Sequence, residues 1–270
     1  MPELPEVQTT CNGIKPHILG KKITDVVVRT PKLRWAIPCD LKIKILEQTV
    51  KSIHRRAKYI IIELDNIYLI IHLGMSGHLR VLREYLLPVK HDHMDITFEN
   101  NITLRYHDPR RFGAILITSD ISNFPLFKNL GPEPLSHDFN WTYLKNTLKN
   151  KNIPIKTHIM NQKTVVGVGN IYASEALFQA HIHPLRPAQS ITAQEGKQLI
   201  QAIQSTLENA ILKGGTSISD YMNSEGKPGY FSQELKVYQR QGLPCFQCKT
   251  PIEYCRVGQR SSFFCTNCQK

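Results

Sequence analysis

The chain has 270 residues, of which 41% are hydrophobic and 21% charged, a composition typical of a globular protein with one large domain or two ordinary ones. The formal net charge of +12 and the pI near 9.4 indicate a polyanionic partner, nucleic acid first, although an unspecialised basic surface also fits. A membrane span is excluded, because Glu63, Asp65, Asn66 and His72 interrupt the most apolar stretch, residues 59–75.

The first predicted element is a helix over 7–19, which Gly20 ends and which follows the acidic start MPELPE. A small residue after Met1 usually leads to removal of the initiator methionine, so we expect Pro2 to carry a free secondary amine beside Glu3, with Glu6 one turn away. An α-amino group titrates near pH ~7.7–8.0 and is partly nucleophilic at neutral pH. Such amines form Schiff bases while a carboxyl group moves protons. An ordinary helix start with an acidic first turn fits the same residues.

A β-rich region is predicted after this helix. Eight short segments there are rich in Ile, Val, Leu and Tyr and are separated by turn residues. They are 23–29, 50–54, 59–64, 68–73, 78–82, 95–98, 103–107 and 114–118. Many short strands at this spacing predict a β-sandwich or a flattened barrel.

The segment LGPEP at 130–134 is a break in composition and the best candidate boundary. Beyond it, apolar residues recur at helical spacing over 141–149, 154–160, 169–180 and 193–213. The short connection at 181–184 is typical of a helix–turn–helix arrangement. A polar, glycine-rich loop follows the last helix as far as Gly229. We predict three parts, 1–131, 132–235 and 236–270.

Two Cys-x2-Cys pairs near the C-terminus match a four-cysteine site for a structural Zn²⁺ ion. Cys245 and Cys248 form the first pair, Cys265 and Cys268 form the second, and 16 residues separate the two pairs. Metal binding would supply much of the folding free energy of so small a module. The alternative is two disulfides. Seven cysteines are an odd number and too few for a disulfide scaffold, and the chain shows no secretory signal. These features instead predict a reducing, cytoplasmic location. A β-hairpin with Arg260 at its tip is expected.

Basic residues recur beside aromatic ones at 54–59 and 105–113. Arginine and lysine neutralise phosphates, and an exposed Phe112 between cations could wedge into a base stack. Alternatively, Phe112 lies in the core and the arginines are solvated. The glycine-rich turn before Asn170 leads into a helix whose amides could hold a phosphate or simply be capped. The His-Asp-His run at 91–93 lacks a nucleophile motif, so a DNA contact or a polar core position is expected.

Several motifs in a fixed order make the chain resemble the bacterial formamidopyrimidine-DNA glycosylases, base-excision enzymes for oxidised purines. The motifs are PELPEV at 2–7, RAKY at 56–59, HLGMSG at 72–77, KHDH at 90–93, DPRRFG at 108–113, VGVGNIY at 166–172 and the four-cysteine finger. The resemblance runs over the whole chain. It implies an α+β fold, with an N-terminal helix and a two-sheet β-sandwich, then a helix-two-turns-helix domain and a zinc-finger β-hairpin. It also implies a monomer that acts on damaged double-stranded DNA.

The resemblance further implies a bifunctional glycosylase and abasic-site lyase. Pro2 would attack C1′ of the damaged nucleotide and form a Schiff base. Glu3 would protonate the opening sugar, and Glu6 would assist at the same centre. Lys58 would serve in β-elimination and Arg260 in δ-elimination, and both would bind phosphate.

The remaining implied roles concern DNA. Met75, Arg110 and Phe112 would fill the hole that the flipped nucleotide leaves, with Arg110 facing the orphaned cytosine. Contacts to DNA or its phosphates would come from His91, Lys151, Lys156 and Asn170. The loop 216–230 would close over the flipped base, and the four cysteines would hold one zinc ion.

Two departures and two alternatives accompany this interpretation. Gln8 stands where the family often has Glu, and Ser262 stands where Thr is more usual. The first alternative is the sister group resembling endonuclease VIII, which removes oxidised pyrimidines; Leu4 and the 108–113 motif favour the purine enzyme. The second is a zinc-ribbon DNA-binding protein without catalysis, which would make Pro2 and Lys58 coincidental.

Overall fold

The structure, a computed structural model, describes residues 2–216 and 234–270. They divide into two compact units. The N-terminal unit contains the described residues of 1–128 and 213–232, and the C-terminal unit contains those of 129–212 and 233–270. The three-part division into 1–131, 132–235 and 236–270 stays a prediction.

The N-terminal unit begins with helix α1, Leu4–Ile18, which starts earlier than the predicted residue 7. A capping box between Glu3 and Glu6 explains the earlier start, because the two residues satisfy backbone donors that the first turn leaves open. The apolar residues at helical spacing are buried, and they include Leu4, Val7, Cys11, Ile14 and Ile18. The helix thus packs one face against the core and fixes the position of the residues that precede it.

Two four-stranded antiparallel sheets form the body of this unit. The first has the order β1-β6-β7-β5, and its strands are β1 (Ile23–Val28), β6 (Asp92–Phe98), β7 (Thr103–His107) and β5 (His78–Leu82). The second has the order β2-β3-β4-β8, and its strands are β2 (Ser52–Arg56), β3 (Tyr59–Glu63), β4 (Tyr68–His72) and β8 (Ala114–Thr118). One apolar cluster contains residues of both sheets and of α1. The predicted two-sheet sandwich with an N-terminal helix is therefore confirmed.

The C-terminal unit is helical and ends in a β-hairpin. Its helices are α3 (Trp141–Leu148), α4 (Ile155–Ile159), α5 (Asn170–Gln179) and α6 (Ala193–Leu212), and each lies where the apolar spacing predicts one. The short helix α2 (Leu41–Ile45) of the N-terminal unit was not predicted. Strands β9 (Glu253–Val257) and β10 (Arg260–Phe264) pair antiparallel, and α5 packs against α6 and β10. No helix within 2–216 or 234–270 is long and apolar enough to cross a bilayer.

Candidate active site and nucleic-acid interface

The N-terminal end of α1 brings together the three residues predicted to act on the sugar. Pro2, Glu3 and Glu6 are all buried. The backbone amide of Glu3 donates to Oε2 of Glu6 at 2.8 Å, and the amide of Thr216 donates to Oε1 at 2.7 Å. Two backbone donors therefore orient the Glu6 carboxylate, and the helix dipole stabilises its negative charge. The predicted closing loop 216–230 lies outside the described residues, except for Thr216.

Lys58 lies in the turn between β2 and β3, where Ala57 has a φ of 54°. Only 8% of its surface is exposed. Arg55 supports this turn, because its guanidinium donates to the carbonyl of Ala57 at 2.9 Å and to Oε1 of Gln8 at 3.1 Å. Gln8 belongs to α1, so the departure from Glu at this position keeps an acceptor that links the turn to the helix. The strands on either side of Lys58, β2 and β3, both pack against α1.

A single buried carboxylate organises the loop formed by residues 108–113. The side chain of Asp108 accepts from the amide of Gly113 at 2.8 Å, from the hydroxyl of Ser76 at 3.0 Å and from the hydroxyl of Tyr106 at 3.2 Å. Ser76 follows Met75, so this carboxylate ties the two loops that carry the predicted hole-filling residues. The loops also touch directly, because a Cβ on Gly74 would lie 2.4 Å from the nitrogen of Gly113.

The residues predicted to fill the hole lie at the surface of these loops. Phe112 is 46% exposed, which excludes the alternative that it belongs to the core. The guanidinium carbon of Arg110 lies 4.9 Å from the centroid of the Phe112 ring, a cation–π arrangement. Met75 is half-buried and Arg110 exposed. An exposed ring beside a guanidinium on a rigid loop has the shape and chemistry of a wedge for stacked bases.

The His-Asp-His run at 91–93 separates into one half-buried and two buried residues. His91 is half-buried with a φ of 76°, whereas Asp92 and His93 are buried. The Asp92 carboxylate accepts from Arg80 at 2.8 Å and from His107 at 2.7 Å. Burial raises the pKa of Asp92, but the Val89 amide and these two partners bring it below its usual value. Asp92 and His93 therefore form a polar part of the core, and of the three residues His91 alone is partly exposed.

In the C-terminal unit, Arg260 is the first residue of β10 and is exposed. Gly258 and Gln259, with φ of 52° and 65°, make the two-residue turn that β-hairpins favour. Lys156 is only 1% exposed, and its ammonium donates to the carbonyl of Ser261 at 3.0 Å and to the hydroxyl of Ser262 at 2.8 Å. Lys156 thus holds the strand that begins with Arg260. A phosphate contact by Lys156 stays a prediction.

Two further residues with predicted phosphate contacts lie in the helical part of this unit. Lys151 is exposed shortly after α3. Asn170 is the first residue of α5, and its buried Oδ1 has no hydrogen-bond partner among the residues that the structure describes. The positive end of the α5 dipole lies at this position, so an anion would be stabilised there.

The four cysteines of the predicted finger cluster tightly, with every sulfur within 4.8 Å of the others. The Sγ atoms of Cys245 and Cys268 are 3.9 Å apart, and those of Cys248 and Cys265 are 3.3 Å apart. A tetrahedral Zn²⁺ with ~2.3 Å bonds to sulfur needs sulfur atoms about 3.8 Å from one another. All seven cysteines are free thiols. The donor set and its dimensions therefore fit a zinc ion, and the disulfide alternative is not supported.

Sequence reasoning missed the residues that hold these loops in place. Asp108 was named only as part of a motif, Gln8 only as a departure, and Glu175 was not considered. The buried Glu175 carboxylate accepts from the amides of Lys236, Val237 and Tyr238 at 2.8, 3.0 and 2.8 Å, where the described chain leads into the finger. A charged residue inside an otherwise apolar helix was the available signal.

Comparisons with known proteins agree over the whole chain. A family model described as the formamidopyrimidine-DNA glycosylase N-terminal domain matches residues 1–115, and one described as the formamidopyrimidine-DNA glycosylase H2TH domain matches residues 130–222. The chain is 52% identical to the formamidopyrimidine-DNA glycosylase of Hydrogenovibrio crunogenus, over all of this chain and 97% of that protein. It is also 52% identical to the Photorhabdus laumondii protein of the same name, over the full length of both.

Solved structures show the same likeness in three dimensions. A crystal structure from Thermus thermophilus superimposes with a TM-score of 0.89 at 38% identity, over 99% of this chain and 98% of that one. The wild-type Lactococcus lactis protein in complex with DNA containing N7-benzyl-Fapy-dG superimposes with a TM-score of 0.92 at 34% identity, over the full length of both chains. A complex of the same bacterium's protein with abasic-site DNA gives 0.92 at 33% identity, over 99% of each chain.

Proposed function

The chain belongs to the formamidopyrimidine-DNA glycosylase family, and we propose that it excises oxidised purines from duplex DNA and then cleaves the abasic site. The observation that carries this proposal is the buried start of α1, where Pro2 precedes Glu3 and lies in the same turn region as Glu6. The related structures with Fapy-dG and abasic DNA support both the lesion class and the second reaction. The proposal includes removal of Met1, since the nitrogen of Pro2 is otherwise an amide.

The first chemical step exchanges one bond at C1′ for another. The nitrogen of Pro2 bonds to C1′ while the bond from C1′ to the base breaks, and the proton lost by the amine balances the proton gained by the base. Glu3 then protonates the ring oxygen, so that the sugar opens and an iminium remains between C1′ and Pro2. Glu6, held by the amides of Glu3 and Thr216, keeps the helix start in the geometry that this attack needs.

Strand cleavage follows from the iminium, which acidifies the neighbouring carbon. Loss of a proton from C2′ breaks the C3′–O bond in β-elimination, and we assign Lys58 to this step. Loss of a further proton breaks the C5′–O bond in δ-elimination, and we assign Arg260 to that step. Both side chains are cations, so each also stabilises the phosphate that departs.

Access to the lesion requires that the nucleotide leaves the stack, which costs a few kcal/mol. Met75, Arg110 and Phe112 offset this cost by filling the hole, and Arg110 faces the orphaned cytosine. His91, Lys151 and Asn170 bind DNA or its phosphates. We propose that Lys156 holds the strand of Arg260 through Ser261 and Ser262, and the phosphate contact that the resemblance implies stays a prediction.

The four thiolates would hold one structural zinc ion that stabilises the finger hairpin, β9 and β10 with the turn between them. Cys245 and Cys265 are buried, and Cys248 and Cys268 are half-buried, so the ion would be closed off by protein ligands. We also propose that the protein is a monomer in the reducing cytoplasm, where these thiols stay unoxidised.

Borohydride trapping tests the function and separates it from both alternatives. We expect a covalent adduct on duplexes containing 8-oxoguanine opposite cytosine and none with the Pro2→Gly variant. Pro16→Ala is the matched control, because it removes a proline from the last turn of the same helix and leaves Pro2 in place. An adduct formed only on an oxidised pyrimidine would assign the chain to the group resembling endonuclease VIII. Binding without any adduct would leave the non-catalytic zinc-ribbon account.

A further inference from the structure

The segment 29–37, between β1 and α2, forms a rigid turn that presents one arginine to solvent. Within it the amide of Leu33 donates to the carbonyl of Trp35 at 2.9 Å, and the amide of Ile37 donates to the carbonyl of Pro31 at 2.9 Å. Leu33 and Ile37 are buried in the apolar cluster of the N-terminal unit, whereas Arg34 is exposed. The core therefore anchors the turn on both sides of Arg34 and fixes where its side chain starts.

Arg34 lies directly beside the loop 108–113 that carries the proposed wedge. Its backbone amide donates to the carbonyl of Gly113 at 3.1 Å. Its guanidinium carbon lies 4.9 Å from the centroid of the Trp35 ring, so the ring supports the guanidinium plane from one side. The charge is thus held against the Trp35 ring, on a turn whose backbone is bonded to the loop 108–113.

A second observation shows that positive charge is concentrated at this place. Burial lowers the pKa of His72 to about 4, and the charges of Lys58 and Arg34 lower it as well, more than the carboxylate of Asp108 opposes. Lys58 and Arg34 therefore act on the same neutral imidazole from within electrostatic range. Among the residues that the structure describes, no carboxylate forms a salt bridge with Arg34.

We propose that Arg34 binds a backbone phosphate of the duplex next to the point where the loop 108–113 enters it. The planar guanidinium offers paired donors that match two phosphate oxygens, and the Trp35 ring holds it in orientation. The inference rests on the proposed function, because it needs duplex DNA as the ligand. It adds a contact from a segment that contributes none of the catalytic or hole-filling residues.

The salt dependence of DNA affinity tests this contact. A lost phosphate contact reduces the slope of log K against log salt by about 0.9, and it weakens lesion-containing and undamaged duplexes by the same factor. We expect that reduction for Arg34→Gln. We expect Arg34→Lys to keep most of the slope and to lose affinity, because the charge remains and the paired donors are gone.

Lys51→Gln is the matched control for the change in net charge. Lys51 pairs with Asp65 at 2.7 Å and lies at the opposite end of the β2–β3 hairpin from the turn of Lys58. The slope of log K against log salt for Lys51→Gln should equal that of the wild type. Equal slopes for Arg34→Gln and Lys51→Gln would overturn the inference, and a loss confined to lesion DNA would do the same.

The same preparations distinguish this failure from failure of the proposed function. If the wild type traps on 8-oxoguanine duplexes and Arg34→Gln behaves like the control, the proposed function stands and only the phosphate contact is wrong. If the wild type neither binds duplex DNA nor forms an adduct, the proposed function itself fails. A thermal unfolding curve for each variant verifies that it is folded. If Arg34→Gln is not folded, the affinity of Arg34→Lys is compared with that of the wild type instead.

Discussion

Two arginines are presented to solvent on short turns, one in each unit, and the two turns are held in different ways. The loop of Arg110 is fixed by the buried carboxylate of Asp108, which accepts from Ser76, Tyr106 and Gly113. The turn of Arg260 is fixed by the buried ammonium of Lys156 and by a hairpin that four cysteines close. The first arrangement is part of a large apolar core, whereas the second depends on one lysine and on the four-cysteine cluster for which we propose a zinc ion.

Removal of zinc should produce the largest difference between the two turns. Chelation, or the Cys265→Ser substitution, should unfold the finger hairpin and abolish δ-elimination, because the small module that carries Arg260 cannot fold without its metal. The N-terminal unit should stay folded. Hydrogen exchange would show this as lost protection in β9 and β10 with retained protection in β3 and β4.

Cys39→Ser is the control, since Cys39 is exposed and lies outside the cluster. It should bind zinc and cleave DNA as the wild type does. Retained protection of the hairpin after complete metal removal would show that the two turns are held alike.

The next largest effect is expected from Asp108→Asn. The amide nitrogen replaces an oxygen that accepts from buried donors, and leaving such donors unpaired costs about 1–3 kcal/mol of unfolding free energy. Excision of 8-oxoguanine should fall more than cleavage of a preformed abasic site, because the substitution disturbs the hole-filling loop and not Pro2. Denaturant unfolding and the two rates measure these effects.

Asp120→Asn is the matched control in the same unit, because Asp120 is exposed and pairs only locally with Asn123. Equal losses of both rates in Asp108→Asn would mean that the loop is not what this carboxylate controls.

Much of the fold and part of the site were predictable because they leave local patterns. The helical spacing in 193–213 follows from burial of one face of the helix, and the cysteine spacing follows from tetrahedral coordination. The β-rich region is marked by short runs of Ile, Val, Leu and Tyr between turn residues. The sequence also indicated Pro2 and the two carboxylates, since all three lie within one turn. Their roles, like those of the DNA contacts, stay predictions until the chemistry is measured.

What escaped prediction depends on partners that are distant in the sequence. Lys156 looks like a surface cation, and only the fold shows that Ser261 and Ser262 surround its ammonium. Asp108 has local partners in Tyr106 and Gly113, but its bond from Ser76 comes from a residue that is distant in the sequence. Helix α2 has five residues, too few for a periodic pattern to develop. The early start of α1 came from a capping box in which Glu3 takes the place of the usual Ser or Thr.

Lys156→Met should sharpen the contrast between the two turns with a smaller effect. The methionine fills a similar volume but leaves the hydroxyl of the buried Ser262 without the ammonium, so the position of Arg260 should loosen. We expect β-elimination to continue and δ-elimination to slow about tenfold, which corresponds to about 1.4 kcal/mol in the transition state. Product gels that resolve the two cleaved ends measure the ratio.

Lys197→Met provides the control, since Lys197 is an exposed lysine on α6 of the same unit. A uniform decline of both eliminations in Lys156→Met would contradict a role confined to the turn of Arg260.

The smallest expected effect concerns pH and the start of α6. Arg186 donates to both carboxylate oxygens of Glu195, and this pairing lowers the pKa of Glu195 from 4.5 to about 2. Because the folded-state pKa lies below the unfolded one, the stabilisation is complete above pH 4.5 and is lost as the pH falls towards 2. Glu195→Gln should therefore be less stable than the wild type at pH 7, and the two unfolding curves should converge in acid. Curves that stay apart at the lowest pH would rule out the charge of Glu195 as the cause.

The central claim is that the nitrogen of Pro2 forms the covalent bond to the damaged nucleotide. The most direct measurement is peptide mapping by mass spectrometry of the borohydride-trapped adduct on an 8-oxoguanine duplex. The account predicts a chain that starts at Pro2 and carries the reduced sugar on that residue. An adduct located on Lys58 or another lysine, or an adduct on a chain that retains Met1, would contradict it.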